Sequence, residues 1–86
     1  MLVIKHHTAI NLANVTDFNQ YISSNGEYFQ IVFHMNIMQP ESGTSYAHQI
    51  QEEFNFKTKE DMQKGFNKII ESYKNKEYIC DLSNKD

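Results

Sequence analysis

Arginine is missing from this chain: all eight basic side chains are lysines. Arginine supplies the rigid fork that grips phosphates, carboxylates and guanine edges with two parallel hydrogen bonds. Its absence, with a net charge of −3 and a pI near 5.7, counts against nucleic-acid binding. Glycine is scarce too, at three residues, and none belongs to a phosphate-cradling loop. Cys80 stands alone, so no disulfide can form within the chain. No run approaches the roughly 18 apolar residues that a membrane helix needs. The start, MLVIKHH, is too short in apolar residues for a signal peptide, so a cytoplasmic protein is expected. Tryptophan is absent, so a core must lean on phenylalanine and tyrosine.

What is present suffices for one small domain. The 86 residues leave no room for two cores, so residues 1–86 are read as a single domain. Hydrophobic residues make up 40% and aromatics 13%, too many for a disordered segment. Charge is uneven. Residues 1–56 carry only Lys5 against Asp17, Glu27, Glu41, Glu52 and Glu53, whereas seven of the lysines follow residue 56.

The plainest element is KTKEDMQKGFNKIIESYKN. Thr58 suits an N-cap and Asp61 the capping-box position. Met62, Phe66, Ile69, Ile70 and Tyr73 recur at helical spacing, and acids precede lysines as the helix dipole favours. The pattern predicts a helix whose apolar stripe is core. Gly65 inside it weakens the helix and points to a close approach by a sheet.

TDFNQYISSNGEYFQIVFHMNI admits two readings. Thr16 as cap, with Val15, Phe18 and Ile22 at helical spacing, gives a short helix ending at Gly26. Asn25-Gly26 as a type I′ turn gives a β-hairpin. The hairpin predicts pairs: Ile22 with Phe29, Gln20 with Ile31, Phe18 with Phe33, Asp17 with His34 and Thr16 with Met35. It puts Phe18 and Ile22 on the same face as the period-two series Phe29, Ile31, Phe33, Met35 and Ile37, and is preferred. QPESGT then reads as a loop. SYAHQIQEEFNF alternates as a strand, with Tyr46, Ile50, Phe54 and Phe56 on one face, although part of it also fits a helix. LVIKHHTAINLANV reads as an entry strand turning near Asn14. EYICDL reads as a candidate fifth strand at an edge, with Cys80 a small buried residue. The expected fold is α+β: a four-stranded antiparallel meander, with that short fifth strand as an option and the C-terminal helix packed on one face.

INLANV before a strand, the meander, and the strand–helix ending FKTKEDMQKGFNKII resemble small accessory proteins of phages and mobile elements. The resemblance implies an accessory or inhibitor protein acting on a host protein. It transfers no catalytic residue.

The chemistry-bearing residues do not converge. His6 and His7, if in a strand, point to opposite faces. His34 belongs to the polar face of its strand and His48 to the apolar face of the next, so a shared metal is not expected. HExxH, CxxC and GxSxG are all missing. An Asp17–His34 pair could orient an imidazole, but no activated nucleophile accompanies it. A modest surface ion pair is the plainer reading. Glu52-Glu53 fit a solvated acidic rim. No enzyme, metal or cofactor is therefore expected. What remains is the polar face of the hairpin: Asp17, Asn19, Tyr21, Tyr28, Gln30, Val32, His34 and Asn36, with Val32 and Met38 as an apolar centre. It reads either as an ordinary solvent face or as a surface for a protein partner. Self-association through this face or through an edge strand is the alternative function, since so small a chain gains by burying more surface.

Overall fold

The computed structural model describes the backbone of residues 1–41 and 44–83, and the side chains of residues 1–35 and 50–83. The element order is β1 (Leu2–Lys5), β2 (Thr8–Asn11), a 3-10 turn (Leu12–Asn14), β3 (Val15–Ile22), β4 (Phe29–Glu41), β5 (Thr44–Phe56), α1 (Lys59–Lys74) and β6 (Ile79–Asp81). These strands form two three-stranded sheets, ordered β2-β1-β6 and β3-β4-β5. The α+β class and the β3–β4–β5 meander match the expectation. A single four-stranded sheet does not.

The difference lies at the N-terminus. The expected entry strand is itself a hairpin, β1 pairing antiparallel with β2 so that Lys5 faces Thr8. His6 and His7 are therefore its two-residue turn, not strand residues on opposite faces. His6 takes the left-handed conformation (φ 56°), which histidine tolerates better than bulky or branched residues. The chain does turn near Asn14, in the 3-10 segment, where Asn11 Oδ1 accepts from the Ala13 N–H. At the other end EYICDL does return as an edge strand, but parallel to β1: Leu2 faces Ile79 and Val3 faces Cys80. It thus closes the N-terminal sheet and not the meander.

In the meander, β3 and β4 pair from Ile22–Phe29 to Asp17–His34 in the expected register. A bulge between Val15 and Asp17 then puts Val15, and not Thr16, opposite Met35. The extra residue leaves Thr16 free to donate its hydroxyl to the His34 carbonyl at 3.0 Å. The turn reaches this register by another route than type I′. Only Gly26 has positive φ (72°), and its N–H donates to the Ser23 carbonyl. The Ser23 hydroxyl accepts from the Glu27 and Tyr28 N–H groups, and Asn25 Oδ1 also accepts from Glu27. The loop is longer than two residues, but its midpoint still lies between Asn25 and Gly26, so the pairing is unchanged. Strands β4 and β5 run further than expected: Glu41 faces Thr44, so pairing extends into the segment expected to be a loop. Pro40 falls where β3 no longer flanks β4, a position that tolerates a missing N–H.

The core comprises Val3, Ile10, Ile31, Phe33, Phe54, Met62, Ile69, Cys80 and Leu82, from both sheets and the helix. Phe18 stacks on Phe33 (centroids 5.7 Å) and tilts against Phe66 of α1 (5.3 Å). Phe33 meets Phe54 edge-on at 5.2 Å. The helix begins at the expected cap, with Thr58 Oγ1 accepting from the Asp61 N–H. Its buried line is Met62, Gly65, Ile69 and Ser72. Tyr73, expected in the core, is 69% exposed. The buried line continues at regular helical spacing to the smaller Ser72, which leaves Tyr73 on the solvent side. Gly65 does serve close approach: a Cβ there would meet the Phe56 ring at 3.1 Å. Lys5 Nζ caps the same ring from 5.1 Å.

Replacing Phe33 by alanine removes the hub of the aromatic row and should cost about 3–5 kcal/mol. Thr58→Ala, which leaves a helix N–H without its cap, should cost only about 1 kcal/mol. Urea titrations of both variants check this ranking.

Candidate functional site

The outer face of β3–β4–β5, turned away from α1, collects most of the residues singled out as a contact surface. Alternation along paired strands produces it. Once Phe18, Ile31, Phe33 and Phe54 point to the core, their neighbours must point away. Three cross-strand rows result: Asp17, His34 and Gln51; Asn19, Val32 and Glu53; Tyr21, Gln30 and Asn55. Asn19, Gln20, Tyr21, Gln30, Val32, His34 and Gln51 line one shallow depression. Val32 sits at its centre and is only 8% exposed, because side chains on both flanking strands cover it. Tyr21 and Tyr28 stay open to solvent at 51% and 59%. Tyr28 stands just before β4, at the turn, and is not among the lining residues. Asn36 and Met38 lie outside the residues whose side chains are described.

The β5 contribution was missed from sequence, although the odd positions Gln51, Glu53 and Asn55 alternate with Ile50, Phe54 and Phe56. Their polar side chains are tied into the surface. Gln30 Nε2 donates to Asn55 Oδ1 at 2.7 Å, and Gln51 Nε2 donates to Glu53 Oε2 at 3.3 Å. These bonds hold the β4–β5 half of the surface in one arrangement. Such a pre-ordered surface loses less side-chain entropy on binding.

The expected Asp17–His34 pair forms. His34 Nδ1 and Asp17 Oδ1 are 2.6 Å apart, with both side chains partly exposed. The hydrogen bond to the Asp17 carboxylate raises the His34 pKa above its ordinary value. Partial burial opposes this shift, while the Asp17 charge and the Gln51 side chain reinforce it. The pair meets no serine, threonine or cysteine nucleophile in the contacts described, so what it offers is a fixed donor–acceptor patch. Among the described residues no three His, Cys, Asp or Glu side chains converge as metal ligands. The backbone register pairs His48 with Ile37 and His34 with Gln51; the His48 side chain is outside the described set. Glu52 and Glu53 are both exposed, and Cys80 is buried. No described helix is long and apolar enough to cross a membrane.

The sign of the pH effect follows from the raised value. A histidine that gains a partner on folding stabilises the protein fully below its unfolded pKa of about 6.5. That contribution fades as pH rises through the higher folded value. An NMR titration of His34 should therefore show a midpoint above that of an unpaired histidine. Asp17→Asn should bring it down, and an unchanged midpoint would disprove the coupling.

Comparison with protein-family models, with curated proteins and with solved structures finds no match.

Proposed function

We propose that this protein is a small protein-binding accessory module that modulates or inhibits a host protein through the outer face of β3–β4–β5. The observation that supports this reading most is the composition of that face. Asp17, Asn19, Tyr21, Gln30, His34, Gln51, Glu53 and Asn55 surround Val32, and no lysine stands among them. Tyrosine, asparagine and histidine give contact area and hydrogen bonds at low entropic cost, whereas lysine is depleted from interface centres. The lysines lie elsewhere, chiefly along and after α1. The two acids favour a partner of neutral or basic character. The accessory and phage- or mobile-element-type role is proposed on the resemblance of the KTKED strand–helix ending and the meander. An enzymatic role is not proposed, because among the described residues the paired side chains of His34 and Asp17 bond no hydroxyl or thiol nucleophile.

A test needs variants that alter the face without touching the core. Gln30→Lys with Glu53→Lys places two cations on it at exposed or half-exposed sites. Affinity capture with the wild-type chain, then titration of the captured host protein, should show binding weakened about tenfold or more by the double variant. Its thermal midpoint should stay within a few degrees of wild type. Unchanged affinity in a folded double variant would locate the binding surface elsewhere.

A further inference from the structure

We infer that β3 is a homodimerisation edge, pairing antiparallel with β3 of a second copy about a two-fold axis through Gln20. This concerns backbone pairing along the strand edge; it does not rest on the partner-binding reading above, although Asp17, Asn19 and Tyr21 border both surfaces.

Unpaired strand edges template association unless short, charged, bulged or broken by proline. The other edges carry such protection over at least part of their length, although the Thr44–Gln51 stretch of β5 has neither charge nor proline. β2 and β6 have four and three residues. β5 presents the adjacent acids Glu52 and Glu53, one on each face of the strand. The far half of β4, unflanked by β3, contains Pro40 and Glu41. β3 is eight residues long, has neither lysine nor proline, and carries one charge, Asp17, which is engaged by His34. Its bulge lies at one end, before Asp17, and leaves the rest regular.

The geometry also selects a register. The Ser23 N–H donates to the Tyr28 carbonyl across the hairpin at 3.1 Å, so the backbone groups of Ser23 face β4. By antiparallel alternation, Tyr21, Asn19 and Asp17 face β4 as well, while Ile22, Gln20 and Phe18 present their N–H and C=O groups to the open side. A two-fold at Gln20 sets Gln20 against Gln20 and Phe18 against Ile22 of the second copy, twice. All three outward-facing residues then exchange both backbone bonds. The side chains agree on both faces. Ile22 is 40% exposed in the single chain, and the groove beside Phe18, walled by Leu12, Val15, Ile70 and Tyr73 with Thr16, Asp17 and Lys74 at its polar side, would receive it. On the outer face Asn19 meets Tyr21, and Asp17 meets Ser23. No like charges oppose each other, and a heterologous strand would have to reproduce this match by chance. The result is a continuous six-stranded sheet.

The 86-residue chain should sediment as a dimer at NMR concentrations. Gln20→Pro removes an outward N–H without breaking a β3–β4 bond, so it should give a folded monomer. If that variant does not fold, Gln20→Lys is read instead: it opposes two ammonium groups at the axis and should likewise be monomeric. Gln20→Cys should oxidise to a covalent dimer, since directly opposed residues lie about 5.5 Å apart, within disulfide range. Ser24→Cys, away from the axis, should not. A monomeric wild-type chain overturns the proposal, including one that pairs only with a heterologous strand. So does a dimer that persists in the folded proline or lysine variant. A dimer in which Ser24→Cys cross-links and Gln20→Cys does not overturns the register.

Discussion

The contact between Phe18 and Phe33 is the constraint on which both faces of the meander depend. Strand side chains alternate with a period of two, so a one-residue slip between β3 and β4 would exchange core and surface along the whole strand. The stacked pair resists that slip because Phe18 also meets Phe66 of the helix and Phe33 also meets Phe54 of β5. Moving Phe18 would empty its contacts with β4 and α1 at once. The Asp17–His34 pair is the outward image of the same register, one step along each strand. The exposed ion pair contributes little by itself. It exists because the buried ring pair holds its two backbones opposite each other.

The parts of the fold legible in sequence are those set by local chemistry or by symmetry. The turn is an example. A two-residue type I′ loop and the observed serine-capped loop share a midpoint, so either gives the same pairs although their backbones differ. The helix was legible because Thr58 marks its start and Met62, Phe66 and Ile69 mark its face. The N-terminal hairpin was not, because four-residue strands show too little alternation and a histidine pair is a weak turn signal. The parallel pairing of β1 with β6 joins the two ends of the described chain, and nothing in either segment names the other. Tyr73 misled because the stripe was read by hydrophobicity alone, whereas the inward line at that end takes the smaller Ser72. On the candidate surface the β3 and β4 residues followed from the hairpin. Gln51, Glu53 and Asn55 required the β4–β5 register, which the expected six-residue loop did not define.

The absence of arginine acquires a structural sense in this arrangement. Lysine is the only strong cation available to the chain; none belongs to the outer-face rows or to β3 itself, and Lys74 of α1 lines the groove beside β3. Both surfaces are left with amides, tyrosines and one histidine, which can be desolvated at lower cost than an ammonium group. The two proposed interaction surfaces therefore differ in chemistry. One is a broad polar face with an apolar centre, and the other is a row of backbone donors and acceptors beside an apolar groove.

These two surfaces should respond differently to pH, for a reason of distance. Asp17 and His34 lie within the outer face, so the protonation state of His34 changes the charge that a partner meets there. In the β3–β3 pairing, each Asp17 sits three residues from the axis. The two carboxylates are then about 20 Å apart along the sheet, from roughly 3.3 Å per residue. That exceeds the screening length of about 8 Å at physiological salt. Neutralising His34 therefore exposes a partner to Asp17 without setting the two copies against each other. Binding through the proposed face should therefore follow this titration, while association through the proposed edge should not.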